Sequence, residues 1–234
     1  MSVLILRLKG AQQSWGTSSR YRTREAGTEP SKSGVLGLLA AAQGRGRDAE
    51  LTDLVDLEFG VRADQPGRLL VDYHTARRPG AKNSALSSRH YLVDAAYTAA
   101  VSGPDELIEG LAEAIDSPRF PLYLGRRACP APVDLLGGVE AGDDVEALLR
   151  DVVVAPWLAS DWYREKATKT VHLPLARDAR PGEVGETTQD VPLSFDPRHR
   201  LYDARAVVRP EPVVVENPLG SETEDLFFQT VKEG

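Results

Sequence analysis

The chain opens with a strand whose apolar side chains alternate onto both faces. This strand covers 2–9, with Leu4, Leu6 and Leu8 on one face and Val3 and Ile5 on the other. Apolar side chains on both faces are typical of a central strand that is covered on both sides of its sheet. A long polar loop follows over 10–30.

Two helices are predicted from apolar positions at helical spacing. The first covers 31–43, where Ser31 or Ser33 can cap the first turn and Gly44 ends the last. The second covers 104–115, with Pro104 at its first position. One apolar face of the second helix is formed by Leu107, Ile108, Leu111 and Ile115.

The remaining patterns of the first half predict strands. Two strands, 55–64 and 68–74, are joined by a hairpin turn at Gln65-Pro66-Gly67. A polar, basic excursion without periodicity covers 77–88, and a returning strand covers 91–101. A short strand at 120–124 follows the second helix.

With the excursion set aside, this order predicts an α+β, ferredoxin-like (RRM-like) βαββαβ domain over 1–127. Such a domain has an exposed sheet face and loops that often bind RNA, although a fold alone does not establish function. Prolines after 127 favour short strands and loops, which predicts a β-rich C-terminal region over 128–234. Within that region we expect strands at 204–208 and 213–215 and a mobile acidic end at 221–225.

Composition limits the possible functions. The 234 residues are 41% hydrophobic, which suits a domain with a buried core. The single cysteine, Cys129, excludes an internal disulfide and is expected to be buried, and the four scattered histidines predict no zinc site. No cofactor is expected. The sequence lacks an apolar run of roughly 20 residues and a signal-peptide lead, so we expect a cytoplasmic protein that does not enter a membrane.

Charge is distributed unevenly along a chain whose net charge is −7. Residues 1–47 contain eight Lys or Arg and two acidic residues, whereas 211–234 contain six acidic residues and one Lys. A local site for nucleic acid is compatible with a negative total, because the distribution of charge decides where a polyanion binds.

The loop after the first strand carries the first candidate RNA contacts: Gln13, Ser14, Trp15, Arg20 and Arg22. Arginine binds phosphate through paired hydrogen bonds, an aromatic ring stacks on an unpaired base, and Gln and Ser can contact base edges or the 2′-hydroxyl. The alternative interpretation is that Trp15 fills the core and the arginines form a solvated rim.

The start of the first helix is the second candidate. Ser31, Lys32 and Ser33 lie where free backbone N–H groups favour an anion, and Lys32 adds positive charge. A nucleotide-binding P-loop is rejected, because Ser31 stands where that motif needs a glycine before the lysine. The alternative is simply a well-capped helix, which is compatible with phosphate binding.

Two further segments combine aromatic, polar and basic side chains. Their candidate contacts are Tyr73, His74, Arg77, Arg78 and Arg89 around the excursion, and Arg126 and Arg127 after the short strand. Histidine, tyrosine and lysine also perform acid–base chemistry on RNA. Catalysis is therefore the alternative to binding for a second set, Tyr73, His74, Lys82 and His90. No paired carboxylates predict a metal-dependent nuclease.

Several motifs together resemble a known family. In chain order they are Gln13-Ser14-Trp15-Gly16, 30–42 (PSKSGVLGLLAAA), Phe59-Gly60-Val61-Arg62, Asp72-Tyr73-His74-Thr75, Leu124-Gly125-Arg126-Arg127, and 194–197 (SFDP) with Arg200 and Tyr202. Their order and spacing resemble the CasD proteins of type I-E Cascade, which belong to the Cas-five family of the RAMP superfamily. The resemblance covers about 1–210.

The resemblance implies a non-catalytic subunit that binds and caps the 5′ handle of the CRISPR RNA (crRNA) in an antiviral ribonucleoprotein. It also implies a thumb β-hairpin inserted at about 73–91, contacts with the backbone subunit CasC and the large subunit CasA, and an indirect relation to target DNA.

Two other hypotheses remain. A related type I-C branch cleaves precursor crRNA, a task that belongs to CasE in type I-E. A metal-independent endoribonuclease that uses Tyr73, His74 and His90 is therefore the second hypothesis. A scaffold subunit whose basic loops contact only proteins is the third.

Overall fold

The chain has a mixed α+β fold built on an antiparallel sheet. The computed structural model describes residues 1–16, 23–24, 27–77, 79–80 and 84–222. Its strands are β1 (Ser2–Lys9), β2 (Gln12–Gln13), β3 (Thr23–Arg24), β4 (Glu58–Gln65), β5 (Arg68–Ala76), β6 (Ala85–Val93), β7 (Ala96–Gly103), β8 (Leu136–Ala141), β9 (Thr170–Leu173), β10 (Leu175–Asp178), β11 (Glu186–Ser194), β12 (Leu201–Val208) and β13 (Val213–Glu216). Its helices are α1 (Lys32–Ala42), α2 (Thr52–Val55), α3 (Asp105–Asp116), α4 (Val145–Arg150) and α5 (Asp161–Lys166).

The central sheet has the strand order β11-β12-β10-β4-β7-β1-β8. Every neighbouring pair in it is antiparallel. β1 has the predicted bounds and lies between β7 and β8, so the prediction of a central first strand is confirmed.

Both faces of this sheet are covered where β1, β4 and β7 lie. Leu4, Leu6 and Leu8 pack in one core with side chains of α1 and α3. Val3 packs in a second core with side chains of α4, α5, β9 and β13, among them Val145. The expectation of an exposed sheet face is therefore wrong for these strands, because the C-terminal region covers it. A ligand as long as RNA must bind at the edges and loops instead.

The two helices that were predicted in the first half lie where their apolar patterns place them, and a third, the four-residue α2, was not predicted. Ser31 caps α1, since its Oγ accepts a hydrogen bond from the N–H of Gly34 at 3.2 Å. Gly44 follows the last turn with a φ of +78°, a value that favours glycine. Pro104 is the N-cap of α3 rather than its first helical residue. Both helix predictions are confirmed.

The hairpin predicted around Gln65-Pro66-Gly67 is wrong in its pairing. The chain reverses there, and Gly67 has a φ of +69°. However, β4 pairs with β7 and β10 in the central sheet, whereas β5 pairs with β6 from 68 opposite 93 to 76 opposite 85. A turn signal marks the reversal but not the partner of either strand. We call β5, β6 and their connection (68–93) the hairpin.

Two strand predictions near the hairpin and α3 also differ from the structure. The strand predicted at 91–101 is two strands, β6 and β7, which are separated at Asp94, a residue with a φ of 57°. The strand predicted at 120–124 is wrong, since only an isolated bridge joins Tyr123 to Pro130. Pro121 has no N–H for a ladder. The strand that lies beside β1 comes later in the chain, as β8.

The described part of the C-terminal region contains two helices that the pattern did not predict. α4 and α5 have six residues each, too short for a clear apolar period. The strands predicted at 204–208 and 213–215 are confirmed within β12 and β13. Of the acidic end predicted at 221–225, residues 223–225 lie outside the described ranges.

A buried ion pair joins the C-terminal region to the sheet. Arg62 and Asp64 on β4 are both fully buried, and Arg62 Nε lies 2.6 Å from Asp64 Oδ1. The same guanidinium donates to the carbonyl oxygens of Leu149 at 2.7 Å and Ala155 at 2.8 Å. Burial raises the pKa of the Asp64 carboxyl, and Arg62 and a hydrogen bond from Thr98 oppose that rise.

Replacing Arg62→Met should destabilise the protein strongly. The change keeps the apolar stem but leaves a buried carboxylate and several buried carbonyls without their donor, which costs about 3–5 kcal/mol when a buried pair is broken. The free energy of unfolding, measured by urea titration, is the test.

The matched control for this substitution is Arg68→Met, which breaks an exposed pair with Asp94 at 3.4 Å. An exposed pair contributes about 0–1 kcal/mol. Equal losses of stability in the two variants would contradict the role given to Arg62.

Candidate RNA-binding interface

Among the described residues, several of the predicted RNA contacts lie around one end of the central sheet, which we call the hairpin end. β1 ends there at Lys9, β7 begins there at Ala96, and the hairpin and the loop 124–130 lie beside them. β2 pairs with β6 at 92–93, and β3 pairs in parallel with β6 at 88–89. The N-terminal loop is therefore attached to the hairpin.

Gln13, Ser14 and Trp15 are buried and hold neighbouring segments together, so they do not form an exposed contact surface. We call these three residues the lock. Gln13 and Trp15 are fully buried. Gln13 Nε2 donates to the carbonyls of Leu8 at 2.9 Å and Ala95 at 2.8 Å, and its Oε1 accepts from Trp15 Nε1 at 2.8 Å. The stacking role predicted for Trp15 does not fit this position, and the alternative that it fills the core does.

Ser14 extends this lock to the hairpin and to the loop 124–130. Its Oγ donates to the carbonyl of His90 at 3.1 Å, and its N–H donates to the carbonyl of Leu124 at 3.1 Å. Gly125, at a φ of +85°, passes so close that a Cβ there would collide with the Ser14 carbonyl.

The anion site predicted at the start of α1 is occupied by the protein itself. The N–H of Lys32 donates to Asp190 Oδ2 at 2.7 Å, and Lys32 Nζ lies 2.9 Å from Asp178 Oδ2. Ser31, Lys32 and Ser33 are all buried. The phosphate contact predicted for Lys32 therefore does not fit the structure, because one carboxylate pairs with its ammonium group and another accepts a hydrogen bond from its backbone N–H.

Accessible cationic and aromatic groups lie on the hairpin and on the loop 124–130. Tyr73 is 70% exposed, and His74, Arg77 and Arg127 are also exposed. Arg89 is half-buried, and its Nε has no hydrogen-bond partner. Accessible guanidinium groups can bind phosphate, and the exposed ring of Tyr73 can stack on a base.

Arg126 fixes the loop 124–130 against the hairpin. Its guanidinium lies 4.9 Å from the centre of the Tyr91 ring. One of its nitrogens donates to the carbonyl of His90 at 3.0 Å, the same oxygen that accepts from Ser14. Half-buried in this position, Arg126 keeps a partly accessible charge next to the lock.

The strand register places Tyr73 and His74 on opposite faces of the hairpin. Directly opposed residues share a face, and Val71 is opposite His90 whereas Asp72 is opposite Arg89. His90 and Tyr73 therefore share one face, and His74 shares the other with Asp72, whose Oδ2 lies 2.6 Å from His74 Nδ1. The three groups of the predicted endoribonuclease site are divided between the two faces.

A pocket of about 330 Å³ lies at the base of the hairpin. It is lined by Gln12, Leu70, Val71, Asp72, His74, Tyr91 and Ala128. Its carboxylate, imidazole and amide can form hydrogen bonds with a base edge, and its apolar walls suit a base face. Sequence reasoning did not select Leu70 or Val71, although the run 69–71 is apolar on both faces of a predicted strand.

Some predicted contacts cannot be located. Arg20, Arg22 and Arg78, together with Lys82, lie outside the described residues.

Cys129 is fully buried as predicted, and burial raises the pKa of its thiol. Within the described ranges, no group of three or more metal-ligating side chains occurs. No helix among the same residues is long and apolar enough to cross a membrane.

Comparisons with known proteins agree in one family. A family model described as "CRISPR-associated protein (Cas_Cas5)" matches residues 3–208. The "CRISPR system Cascade subunit CasD" of Escherichia coli (strain K12) is 37% identical over 200 residues, which cover 76% of this chain and 88% of that protein.

Two solved structures are similar over almost the whole chain. A chain of a "CRISPR RNA-guided surveillance complex" is 31% identical with a TM-score of 0.72, and the match covers 97% of this chain and 96% of that one. A "Crystal structure of Cas protein" is 33% identical with a TM-score of 0.63, covering 95% of this chain and 100% of that one.

Replacing Gln13→Ala should loosen the hairpin end. Two buried carbonyls and the Trp15 N–H would lose their partner, and each unsatisfied buried group costs about 1–3 kcal/mol. We expect a lower free energy of unfolding and faster hydrogen–deuterium exchange in 68–93.

The neighbouring Gln12→Ala is the matched control, because Gln12 is half-buried and lines the pocket. It should leave both stability and exchange close to those of the wild type. Exchange in 68–93 that is the same in both variants would show that the lock does not hold the hairpin.

Proposed function

The chain belongs to the Cas5 family of CRISPR-associated proteins, and we propose that it is a non-catalytic, RNA-binding subunit of a type I-E surveillance complex (Cascade). In this role it binds and caps the 5′ handle of the crRNA and contributes to complex assembly for antiviral DNA interference. The observation that carries the proposal is the exposed Tyr73, Arg77 and Arg127 at the hairpin end, in a chain that is 37% identical to a Cascade subunit.

These groups divide into two kinds of contact. Arg77 and Arg127 hold phosphates, and Arg89 and Arg126 support them from half-buried positions. Tyr73 stacks on an unpaired base. Arg20, Arg22 and Arg78 add phosphate contacts in this proposal. The resulting interface is a cationic edge rather than a sheet face.

We also propose that the sheet contains a ferredoxin-like core. The order β8-β1-β7-β4, with α1 and α3 packed on one face, corresponds to the order expected for a βαββαβ domain. The hairpin is the thumb, and it extends beyond the predicted 73–91 at both ends. We propose that the division at 127 is functional: 1–127 supply the RNA contacts, and 128–234 cover the sheet and add β8 to it.

The endoribonuclease hypothesis has less support. The register divides Tyr73 and His90 from His74, whereas acid–base catalysis needs its groups within hydrogen-bond reach of one substrate position. The scaffold hypothesis does not account for the exposed arginines next to an accessible tyrosine. The protein partners that the resemblance implies, CasC and CasA, are part of the Cascade proposal, together with target DNA as an indirect partner. We also propose a cytoplasmic location.

Binding of synthetic handle RNA by the purified chain tests this function. We expect tighter binding to the handle than to a scrambled RNA of equal length, and intact RNA after incubation with a chelator. Site-specific cleavage that is lost on His74→Ala or His90→Ala would instead establish the endoribonuclease. Equal affinity for handle and scrambled RNA would contradict the proposal.

The double variant Arg77→Gln/Arg127→Gln should weaken handle binding about tenfold and flatten its salt dependence. Each phosphate contact on a single strand contributes about 0.7 to the slope of log affinity against log salt concentration. The slope should therefore fall by about 1.4. Fluorescence anisotropy over a salt series measures both quantities.

The matched control is Arg47→Gln/Arg119→Gln, which removes two arginines beyond the C-terminal end of α1. Both residues are exposed, and the change in net charge is the same. Should the two double variants lose affinity equally, the interface would not lie at the hairpin end.

A further inference from the structure

A second concave site lies at the end of the central sheet opposite the hairpin. A cleft of about 780 Å³ is bounded by Met1, the first residues of β4 and the last residues of β7. At about 3.3 Å per residue, the eight-residue strand β1 separates this cleft from the hairpin end by about 25 Å. The two sites are therefore spatially distinct.

The cleft carries uncompensated negative charge. Asp53 and Asp144, two of its acidic residues, are paired with Arg45 and Arg180. Among the described residues, no ion pair neutralises the other three, which are Asp56, Glu58 and Asp143. Such a site repels phosphate and attracts a cation.

Two buried oxygen atoms in the cleft have no hydrogen-bond partner. Glu58 and Ser102 are directly opposed on β4 and β7, and both line the cleft. Ser102 is only 2% exposed, and neither its Oγ nor Glu58 Oε1 is paired. Burial raises the pKa of Glu58, the carboxylates of Asp178 and Asp144 add to that rise, and Arg180 and Arg177 oppose it. An incoming N–H donor would satisfy both oxygen atoms and stabilise the carboxylate.

Much of the remaining lining of the cleft is apolar, and Arg180, which also lines it, is paired with Asp144. Leu57, Leu107, Pro104 and Pro181 line it. Lysine and arginine bury their aliphatic stems along apolar surface while the charged group contacts polar partners. Acidic groups next to apolar side chains are therefore complementary to a long basic side chain.

We propose that this cleft binds a lysine or arginine side chain presented by a neighbouring protein subunit. The inference rests on the proposed function, since it needs a chain that works within an assembly. It gives the two ends of the sheet opposite tasks: the cationic hairpin end binds RNA, and the acidic cleft binds protein. Multivalent metal is disfavoured, because the described residues contain no group of three potential ligands.

Competitive reconstitution tests this proposal. Equimolar tagged wild-type chain and the untagged triple variant Asp56→Asn/Glu58→Gln/Asp143→Asn are mixed with crRNA and the other purified protein subunits. Native mass spectrometry then measures the ratio of the two chains in the assembled complex. We expect the variant to be incorporated about tenfold less than the wild type, while its affinity for free handle RNA is unchanged.

The matched control is Glu109→Gln/Glu113→Gln/Asp116→Asn, which removes three exposed carboxylates from α3. It should compete equally with the wild type. If the cleft variant also competes equally, this inference is overturned while the proposed function stands. If the wild-type chain is not incorporated and does not bind handle RNA, the proposed function fails, and the inference fails with it.

A photo-crosslinking residue introduced at Asp56, in the reconstituted complex, identifies the occupant. A crosslink to a protein segment that contains Lys or Arg supports the proposal, and a crosslink to RNA overturns it. The proposal is also overturned if Mg²⁺ alone raises the melting temperature of the wild type but not of Glu58→Gln, and assembly is unaffected by the triple variant. In that case the cleft would be a metal site.

Discussion

The buried side chain of Gln13 is the contact on which the hairpin end depends. Its amide joins the end of β1 to the turn between β6 and β7 and orients the Trp15 ring. Ser14, one residue on, joins the same segment to the hairpin and to the loop 124–130. A two-stranded hairpin has little stability of its own, so these hydrogen bonds determine where its exposed side chains lie relative to the core.

A second constraint is that the C-terminal region covers the sheet face which a free RRM-like domain would expose. The buried Arg62–Asp64 pair and the apolar core around Val145 hold this cover in place. Nucleic acid is therefore excluded from that face over β1, β4 and β7, and the cationic groups are found on the hairpin and on the loop 124–130. At the opposite end, unpaired carboxylates such as Asp56 and Glu58 make binding of phosphate unfavourable. In the two proposals, RNA and protein partners are separated by the opposite charges of these two ends.

Local patterns were sufficient to predict the elements whose causes are local. Alternation predicted β1, and capping residues and apolar spacing predicted α1 and α3. The partner of a strand is a long-range property, which explains why the turn at Gly67 was assigned to the wrong pair. Whether a polar or aromatic side chain is buried or exposed, and which partners it has, also depends on residues far away in the sequence. The local sequence predicts that Lys32 binds phosphate. In the structure its partners are Asp178 and Asp190, which lie about 150 positions away along the chain. Tyr73, by contrast, lies on β5 and is 70% exposed, so the stacking contact predicted for it stays a prediction that its position permits.

The central claim is that RNA binds at the hairpin end and not on the sheet or at the acidic cleft. Hydrogen–deuterium exchange of the chain with and without handle RNA, resolved by peptide, tests it most directly. Protection should appear in 68–93 and 124–130, while 53–58 and 141–146 should exchange at unchanged rates. Protection confined to the acidic end, or the same weak protection over the whole chain, would contradict the account.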